Sequence, residues 1–230
     1  MKVILFGATG MVGQGVLREC LLDERVEAVL VVGRSSVGQS HPKLSEALTP
    51  DLFDLDAIAP QFAGYDTIFD CLGVSSVGMK EPEYTRVTKD LTLAIADAIA
   101  EQCGREATFI YVSGASTDSS EAGRVMWARV KGATENALLA AFPKAVMFRP
   151  GFIQPLHGVR SKTAWVDRIY RVTAPLAPTL RRRAPGFATT TEEIGRAMLA
   201  VAAGDLPPAL RGTRIFENRD IVSAGAPTGR

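Results

Sequence analysis

Three glycines near the N-terminus, Gly7, Gly10 and Gly13, follow a short apolar run and are separated by two residues each. Glycines at this spacing, between a buried strand and the start of a helix, let the backbone turn tightly and approach a pyrophosphate. The free N–H groups at the start of that helix can then bind the phosphate oxygens. This pattern predicts a dinucleotide site, the alternative being a plain strand-to-helix turn. The predicted contacts are Gly7, Thr9, Gly10, Met11, Val12 and Gly13.

The second apolar run ends in Gly33-Arg34-Ser35-Ser36, without an acidic residue. A site that prefers NAD usually carries Asp or Glu here, because a carboxylate binds the ribose 2′-hydroxyl. Arg34 can instead form paired hydrogen bonds with a 2′-phosphate, and Ser35 or Ser36 can add a hydroxyl donor. We therefore predict NADP(H) as the cofactor in preference to NAD(H). The alternative for Arg34 is an exposed loop arginine.

Two further segments follow predicted strands and are expected to reach the same ligand. After the third strand, Asp51 or Asp54 could accept a hydrogen bond from the adenine amino group, although Asp54 could equally cap a helix. After the fourth strand the chain must pass close beneath the cofactor, and Gly73 permits that approach. The predicted contacts here are Asp51, Leu52, Cys71, Leu72 and Gly73.

The elements that would position these residues alternate between apolar runs and helical patterns. Strands are predicted at residues 3–6, 28–32, 44–48, 67–71, 108–112 and 145–148, and helices at 11–22, 55–62, 82–103 and 122–141. Such alternation predicts an α/β fold, a doubly wound parallel sheet of the Rossmann type with helices on both faces. Ligands bind such a sheet at the carboxyl ends of its strands.

Eight of the thirteen prolines lie from Pro150 onward, where the alternation loosens. We therefore predict a single domain over residues 1–230, with a core at 1–150 and a small irregular substrate lobe at 151–230. One helix is expected in this lobe, because Thr190 and Glu193 have the spacing of a capping box. A late strand is predicted at residues 214–217.

Composition excludes several classes of function. The net charge is +1, which argues against a nucleic-acid surface. No apolar run reaches the roughly 18 residues that a membrane span requires. The three cysteines, Cys20, Cys71 and Cys103, lack the spacing of a metal site, so we predict no metal. Cytoplasmic location is expected.

Three stretches in the second half of the predicted core, together with the glycine turn, resemble the short-chain dehydrogenase/reductase superfamily. They are Tyr111-Val112-Ser113-Gly114-Ala115-Ser116, Trp127-Ala128-Arg129-Val130-Lys131 and Arg149-Pro150-Gly151. The sequence is most similar to the atypical, Tat-interacting oxidoreductase-like branch of that superfamily. The similar segments are Cys71-Leu72-Gly73, Val130-Lys131-Gly132 and Glu217-Asn218.

The resemblance implies roles for individual residues. Ser113 would lie near the substrate oxygen, with Ser116 as a second candidate, and Lys131 would bind the nicotinamide ribose. Backbone groups after the sixth strand would contact the nicotinamide carboxamide. The residues implied for that contact are Pro150, Gly151 and Ile153.

The sequence departs from this superfamily at the catalytic tyrosine, four residues before the lysine, where it has Trp127. A phenol can pass a proton to a carbonyl, whereas an indole N–H only donates a hydrogen bond. Tyr84 could in principle face the cleft, its alternative being a capping or packing role. Trp127 could stack on a flat ring such as a quinone or flavin, or could simply be a packed aromatic over an inactive site.

These observations favour an NADP(H)-dependent oxidoreductase acting on a small carbonyl, quinone or flavin-like substrate. The alternative is a weakly catalytic or inactive binding module that reports the NADP(H) redox state to a protein partner. A sugar-nucleotide epimerase is less favoured because it relies on the missing tyrosine. A small-molecule substrate is expected, with a homodimer or a regulatory protein as possible partners. His157 and residues 181–183 are candidates for contacts with substrate.

Overall fold

The computed structural model describes residues 1–159 and 186–227, and its elements are numbered here in chain order. The strands are β1 (Lys2–Phe6), β2 (Ala28–Gly33), β3 (Leu44–Leu48), β4 (Thr67–Asp70), β5 (Thr108–Val112), β6 (Val146–Arg149), β7 (Phe152–Gln154), β8 (Ala188–Thr190) and β9 (Ile215–Glu217). The α-helices are α1 (Met11–Leu22), α2 (Glu81–Thr85), α3 (Leu91–Gln102), α4 (Met126–Ala141), α5 (Thr191–Ala203) and α6 (Asn218–Ala224). A π-helical segment, Arg86–Asp90, joins α2 to α3, and short 3-10 helices span Ala59–Phe62 and Pro208–Leu210.

Seven strands form one parallel sheet in the order β3-β2-β1-β4-β5-β6-β9. The central strands are continuously apolar because a parallel sheet covered on both faces buries every side chain. The order of the strands reverses between β1 and β4, so the crevice for a ligand lies at the carboxyl ends of these two strands. The predicted doubly wound parallel sheet is confirmed.

Helices cover both faces of the sheet and meet alternate residues of each strand. Val3 and Leu5 of β1 point into the core under α1, α5 and α6. Ile4 and Phe6 point into a second core formed with α3, α4 and the first 3-10 helix. This alternation follows from the two-residue period of a strand. The two cores are of similar size, and the sheet separates them.

Several predicted boundaries were wrong, each for a local reason. The helix predicted over residues 55–62 is only the 3-10 helix Ala59–Phe62, with Pro60 in its first turn. The helix predicted from residue 122 begins at Met126, because Asp118 folds residues 118–123 into a loop by accepting the backbone N–H groups of Ser120 and Gly123. The helix predicted over residues 82–103 is interrupted by the π-helical segment.

Residues 186–227 contribute to both the sheet and the helical layer. Strand β9 pairs with β6, and β8 pairs with β7 in a separate two-stranded sheet. Helices α5 and α1 cross closely at Gly15, where a Cβ atom would lie 2.5 Å from the Cβ of Thr191. The predicted capping box of Thr190 and Glu193 is confirmed. The division into a core and a substrate lobe stays a prediction.

Candidate functional site

The glycine turn closes on itself and on the end of β4. Gly7 has a φ of +76°, and a Cβ atom there would lie 2.6 Å from the carbonyl of Cys71. A Cβ on Gly13 would lie 2.1 Å from the Gly7 oxygen, whereas one on Gly10 would meet only that oxygen, at 3.2 Å. Gly7 and Gly13 therefore have structural reasons to be glycine. Gly10 has much more room within the chain.

The turn leaves the start of α1 open. Gly10 is the N-cap, no side chain caps the helix, and no acidic residue lies in its first turn. The first N–H groups of a helix have no intrahelical partner, and the helix dipole favours an anion there. The residues at this end of α1 therefore fit a phosphate group.

A polar cleft of about 450 Å³ extends from the turn along α1. The β2–β3 loop forms one wall, and the segment that follows β7 forms another. Its lining includes the side chains of Arg18 and His157, one cationic and one titratable. Thr9, Gln14, Ser36 and Gln39 add polar groups to the lining, and Leu17 and Val37 add apolar ones.

An ion-pair chain holds this cleft together. His157 hydrogen-bonds Glu192, which pairs with Arg196 at 2.6 Å, and Arg196 contacts the buried Glu19 at 3.2 Å. Glu19 also pairs with Arg18. These ion pairs join α1 to α5 and to the loop after β7. His157 therefore lies on the side of the glycine turn.

The other residues predicted to contact the adenosine half of a cofactor lie around the same edge. Arg34 and Ser35 are exposed at the end of β2, and no hydrogen bond or ion pair joins Arg34 to another described residue. The Asp51 carboxylate accepts the N–H of Phe53 at 2.9 Å. Leu52 is buried.

The segment after β4 passes beneath the glycine turn, as the close approach of Cys71 to Gly7 shows. Leu72 is half-buried, Gly73 is exposed, and a Cβ atom on Gly73 would meet nothing within 4 Å. Burial raises the pKa of the Cys71 thiol well above its usual range. Cys71 is thus a packed thiol and not an activated thiolate.

Trp127 and Lys131 lie four residues apart on α4, and both are half-buried. The Lys131 ammonium donates a hydrogen bond to the carbonyl oxygen of Ser113, at the end of β5. Loss of hydration lowers the pKa of Lys131 to about 8, against the opposing charges of Glu135 and Asp70. The carboxyl end of β5 and one face of α4 therefore come together as predicted for a nicotinamide site.

Ser113 is buried, and its hydroxyl contacts the Glu135 carboxylate at 2.5 Å and the Phe148 carbonyl at 3.1 Å. The contact with substrate implied for Ser113 stays a prediction, and it would require this hydroxyl to leave Glu135. Ser116 is exposed and has a φ of 68°. The second candidate is therefore the more accessible of the two hydroxyls.

Glu135 forms the centre of a buried charge cluster. It is completely buried on α4, and Arg149 at the end of β6 contacts both of its carboxylate oxygens, with Nε at 3.1 Å and 3.2 Å. Arg149 also reaches Ser119 at 2.5 Å and Glu217 of β9 at 3.2 Å. One guanidinium thus connects three neighbouring elements below the site.

Asp70, at the end of β4, is also completely buried. Burial raises its pKa to about 6, although the N–H of Leu72, the hydroxyl of Thr92 and the charge of Lys131 each lower it. Tyr84 and Tyr111 flank this region as buried phenols whose pKa is raised by loss of hydration. Tyr84 packs within the helical layer, in agreement with the packing role predicted from the sequence as the alternative to facing the cleft.

The segment after β6 meets the start of α6. Pro150 is buried and its carbonyl accepts the N–H of Ala115 at 2.8 Å, while Ile153 lies half-buried in β7. The N–H of Gly151 donates to the Asn218 side-chain oxygen at 2.8 Å. The Asn218 side-chain nitrogen is buried and has no hydrogen-bond partner in the part of the chain that the structure describes.

Comparison with known proteins identifies the family. Residues 3–125, more than half of the chain, match the NAD-dependent epimerase/dehydratase family. The chain belongs to this family. It is 25% identical to the protein HTATIP2 of Rattus norvegicus, over 97% of the chain and 89% of that protein. It is 27% identical to the mitochondrial protein fmp52 of Aspergillus fumigatus, over 97% and 98%.

Solved structures of this epimerase/dehydratase type share the fold. A short-chain dehydrogenase/reductase of Saccharomyces cerevisiae superposes with a TM-score of 0.60 at 13% identity, covering 93% of the chain and 94% of that protein. A UDP-glucose 4-epimerase gives 0.66 at 15% identity over 96% and 80%. The enzyme WbmH of Bordetella bronchiseptica, solved with NAD+, gives 0.59 at 17% identity over 88% and 72%. The predicted membership of the atypical short-chain dehydrogenase/reductases is confirmed, and the fold is one that binds NAD(P).

Neither a metal site nor a membrane-spanning helix is found among the described residues. Within residues 1–159 and 186–227, no three His, Cys, Asp or Glu side chains come together in a way that could hold a metal ion. In the same ranges no helix is long and apolar enough to cross a membrane. Residues 181–183, predicted to attract an anionic substrate, lie outside the described residues.

Glu135, Asp70, Arg18 and Asn218 were missed from the sequence as members of the site. Glu135 left a signal, since it continues the four-residue spacing of Trp127 and Lys131 and so places an acid on an inward-facing stripe of α4. Asp70 also left a signal in the sequence, because it is an acidic residue within an otherwise apolar strand. The other two depend on contacts between distant segments, which a single sequence does not reveal.

The cluster makes a stability prediction. Replacing Arg149 with Met leaves the Glu135 charge buried without its cation, and we expect a loss of about 3–5 kcal/mol in the free energy of unfolding, measured by urea denaturation. Arg129→Met removes a half-exposed ion pair with Glu81 and a hydrogen bond to the Gly123 carbonyl, and should cost only about 1–2 kcal/mol. Adding Glu135→Gln to Arg149→Met should restore part of the loss. A loss below about 1 kcal/mol for Arg149→Met would contradict a buried charge pair.

Proposed function

We propose that the chain is an NADP(H)-dependent oxidoreductase that acts on a small carbonyl, quinone or flavin-like acceptor. Two features at the carboxyl ends of the strands carry this proposal. One is the open start of α1, and the other is the half-buried Lys131 on α4. The first fits a pyrophosphate, and the second fits the ribose of a nicotinamide. When bound, the nicotinamide would supply a hydride.

NADP(H) is proposed over NAD(H) because of the charge at the end of β2. Arg34 is exposed and unpaired with any described residue, so its guanidinium is available for a 2′-phosphate. The cleft beside it contains a second cation, Arg18, and none of the described residues that line the cleft is acidic. A 2′-phosphate would gain charge-assisted hydrogen bonds in this surrounding, whereas a 2′-hydroxyl would find no carboxylate.

The nicotinamide end would rest on the residues after β5, β6 and β4. Lys131 would hydrogen-bond the ribose hydroxyls, and the backbone near Gly151 would meet the carboxamide, with Asn218 orienting that backbone. Trp127 would present its ring to the acceptor. An indole does not ionise, so an acceptor that can take its proton from water suits this site better than a simple ketone.

A binding module that reports the NADP(H) ratio is the second candidate. Two observations favour it: Trp127 replaces the proton donor, and the Ser113 hydroxyl is occupied by Glu135. The resemblance to the Tat-interacting oxidoreductase-like branch makes a protein partner part of this alternative. An epimerase of UDP-sugars is less favoured, since the tyrosine is replaced.

The remaining proposals concern setting and partners. A substrate-binding role is proposed for residues 151–230, and a homodimer or a regulatory protein as partner, with no role for nucleic acid or metal. Cytoplasmic location is proposed as well, although fungal relatives are named mitochondrial.

The glycine turn provides the first test. A Cβ atom at Gly10 would meet only the Gly7 oxygen, at 3.2 Å, so Gly10→Val should lower the melting temperature only modestly, while its side chain blocks the pyrophosphate and abolishes binding of both cofactors. Gly13→Ala should do the reverse, since its Cβ would overlap Gly7, and should lower the melting temperature strongly. Calorimetric titration and thermal melts measure both effects. Unchanged NADPH binding by Gly10→Val would show that Gly10 is not at the phosphates.

Arg34 tests the choice of cofactor. A charge-assisted hydrogen bond contributes about 1.5–3 kcal/mol, so Arg34→Ala should weaken NADPH binding roughly ten- to a hundredfold and leave NADH nearly unchanged. Arg211→Ala, an exposed arginine elsewhere, is the matched control and should change neither. Calorimetry with the two cofactors gives the ratio. Equal losses for NADPH and NADH would refute the 2′-phosphate contact.

Trp127 tests the chemistry. Trp127→Tyr places a phenol four residues before Lys131, and because general acid catalysis contributes about 10²–10⁴ in rate, reduction of aldehydes or ketones should rise at least about tenfold. Turnover of quinones or flavins should fall, because ring area is lost and no acid was needed. Lys131→Ala should impair both reactions. The assay is NADPH oxidation with each acceptor class.

The same assay separates the two candidate functions. Steady NADPH oxidation by the parent protein with a quinone panel would support the enzyme. If no variant turns over any acceptor while NADPH is still bound, the enzyme proposal fails and the reporting module remains. Binding of a partner that depends on the NADPH/NADP+ ratio would then support that second candidate.

A further inference from the structure

Asp70 is a buried carboxylate in a position that the proposed cofactor site does not use. It ends β4 at the point where the strand order reverses, next to the segment that passes beneath the glycine turn. One of its oxygens accepts the N–H of Leu72 at 2.9 Å, and the other accepts the hydroxyl of Thr92 on α3 at 3.4 Å. Both contacts are neutral, so neither compensates the charge.

The groups facing Asp70 come from every neighbouring element. Tyr111 of β5 lies opposite Asp70 in the strand register, the Cys71 thiol belongs to the next residue, and the buried phenol of Tyr84 lies near Tyr111. Burial raises the pKa of all three, so they are neutral at pH 7. Among the described residues, Lys131 is the one cation whose charge acts on Asp70.

The second carboxylate in the region, Glu135, has its own cation. Arg149 contacts both of its oxygens and is itself largely buried. Glu135 acts on the charge of Lys131 more strongly than Asp70 does, but Arg149 compensates it. The cluster is therefore neutral only when Asp70 and Lys131 are both charged or both uncharged, because a net charge is costly to bury.

We propose that Asp70 is a positioning residue of this site, the buried counter-ion that keeps the Lys131 ammonium protonated where it would meet the ribose of the cofactor. The pairing stands on the register of β4 and β5, which places Asp70 beside Tyr111, two residues before the Ser113 carbonyl that Lys131 binds. Its consequence for cofactor binding rests on the proposed function.

The directions of the pKa shifts agree with this pairing. Burial raises the pKa of Asp70 to about 6 and lowers that of Lys131 to about 8, and each group's charge opposes the shift of the other. Both groups are therefore ionised between about pH 6 and pH 8. Losing the Asp70 charge should lower the pKa of Lys131 further and bring its deprotonation into the neutral range.

The direct test measures the titration of Lys131. The rate at which an amine is acetylated follows its unprotonated fraction, so brief acetylation at a series of pH values, with peptide mass spectrometry, gives a midpoint for Lys131. We expect a midpoint near 8 in the parent protein and one lower by about one pH unit in Asp70→Asn. Asn keeps an acceptor for Leu72, so the loop after β4 is retained.

Two controls accompany this measurement. Thr92→Val removes a contact of Asp70 but keeps the carboxylate, and it should leave the Lys131 midpoint close to the parent value. Lys144, an exposed lysine in the same samples, reports the reagent and should not shift. An unchanged or higher Lys131 midpoint in Asp70→Asn would overturn the proposal.

A second measurement covers the case in which Asp70→Asn does not fold. Lys131→Met removes the one cation among the described residues that acts on Asp70, so the pKa of that carboxyl rises further above its unfolded value. A raised carboxyl pKa gives stability that is present at low pH and is lost as pH rises. Lys131→Met should therefore lose more stability than the parent between pH 5 and pH 8. Equal pH dependence of the stability of the parent and of Lys131→Met would refute the pairing.

The consequence for the cofactor has its own readout. NADPH affinity should weaken as Lys131 loses its proton, and in Asp70→Asn this weakening should begin at lower pH than in the parent. A parent protein that binds no NADPH would refute the proposed function and leave the Lys131 titration as the test of the pairing. NADPH binding with identical pH dependence in both proteins would contradict the role of Asp70 at the site.

Discussion

The ion pair between Arg149 and Glu135 lies beneath the side of the site where we propose that the nicotinamide binds. Arg149 ends β6, Glu135 lies on α4, and their contacts extend to Ser113 of the β5 turn and Glu217 of β9. A buried pair of this kind contributes little net stability, since removing both charges from water offsets most of their attraction. The pair instead fixes how β6 and α4 are placed, because leaving either charge buried without its partner is costly. The position of Lys131, whose ammonium binds the Ser113 carbonyl, depends on this arrangement.

A different constraint shapes the phosphate side of the site. There the backbone itself forms the surface, with Gly7 close to Cys71 and Gly13 close to Gly7, and no side chain is needed. Buried charges thus order one half of the crevice, and tight glycine packing orders the other half. The two halves meet at β4, where Asp70 accepts the N–H of Leu72 and also interacts electrostatically with Lys131.

The fold was predictable from the sequence because its signals are local. The apolar runs of the buried strands, the glycine spacing and the capping box of α5 each involve residues within one element or one turn. The predictions were less accurate where a loop side chain competes with helix formation, as Asp118 does before α4. The membership of Asn218 in the site depends on its contact with Gly151, 67 positions away, and Arg18 joins the site through Glu19, which contacts Arg196 across 177 positions. A single sequence carries no local pattern for such pairings.

The replacement of the tyrosine by Trp127 changes what the rest of the site must do. In an epimerase the same group removes a proton and later returns it, so the group must ionise, and an indole does not. The ionisable groups that remain near Lys131 are buried and paired, and a proton taken from the neutral cluster leaves an uncompensated charge. Such a cluster is suited to holding a cation in place and is poorly suited to supplying a proton at every turnover. Hydride transfer to an acceptor that collects its proton from water makes no such demand, which is why we propose quinone-like or flavin-like acceptors, and not sugars, for this member of the epimerase/dehydratase family.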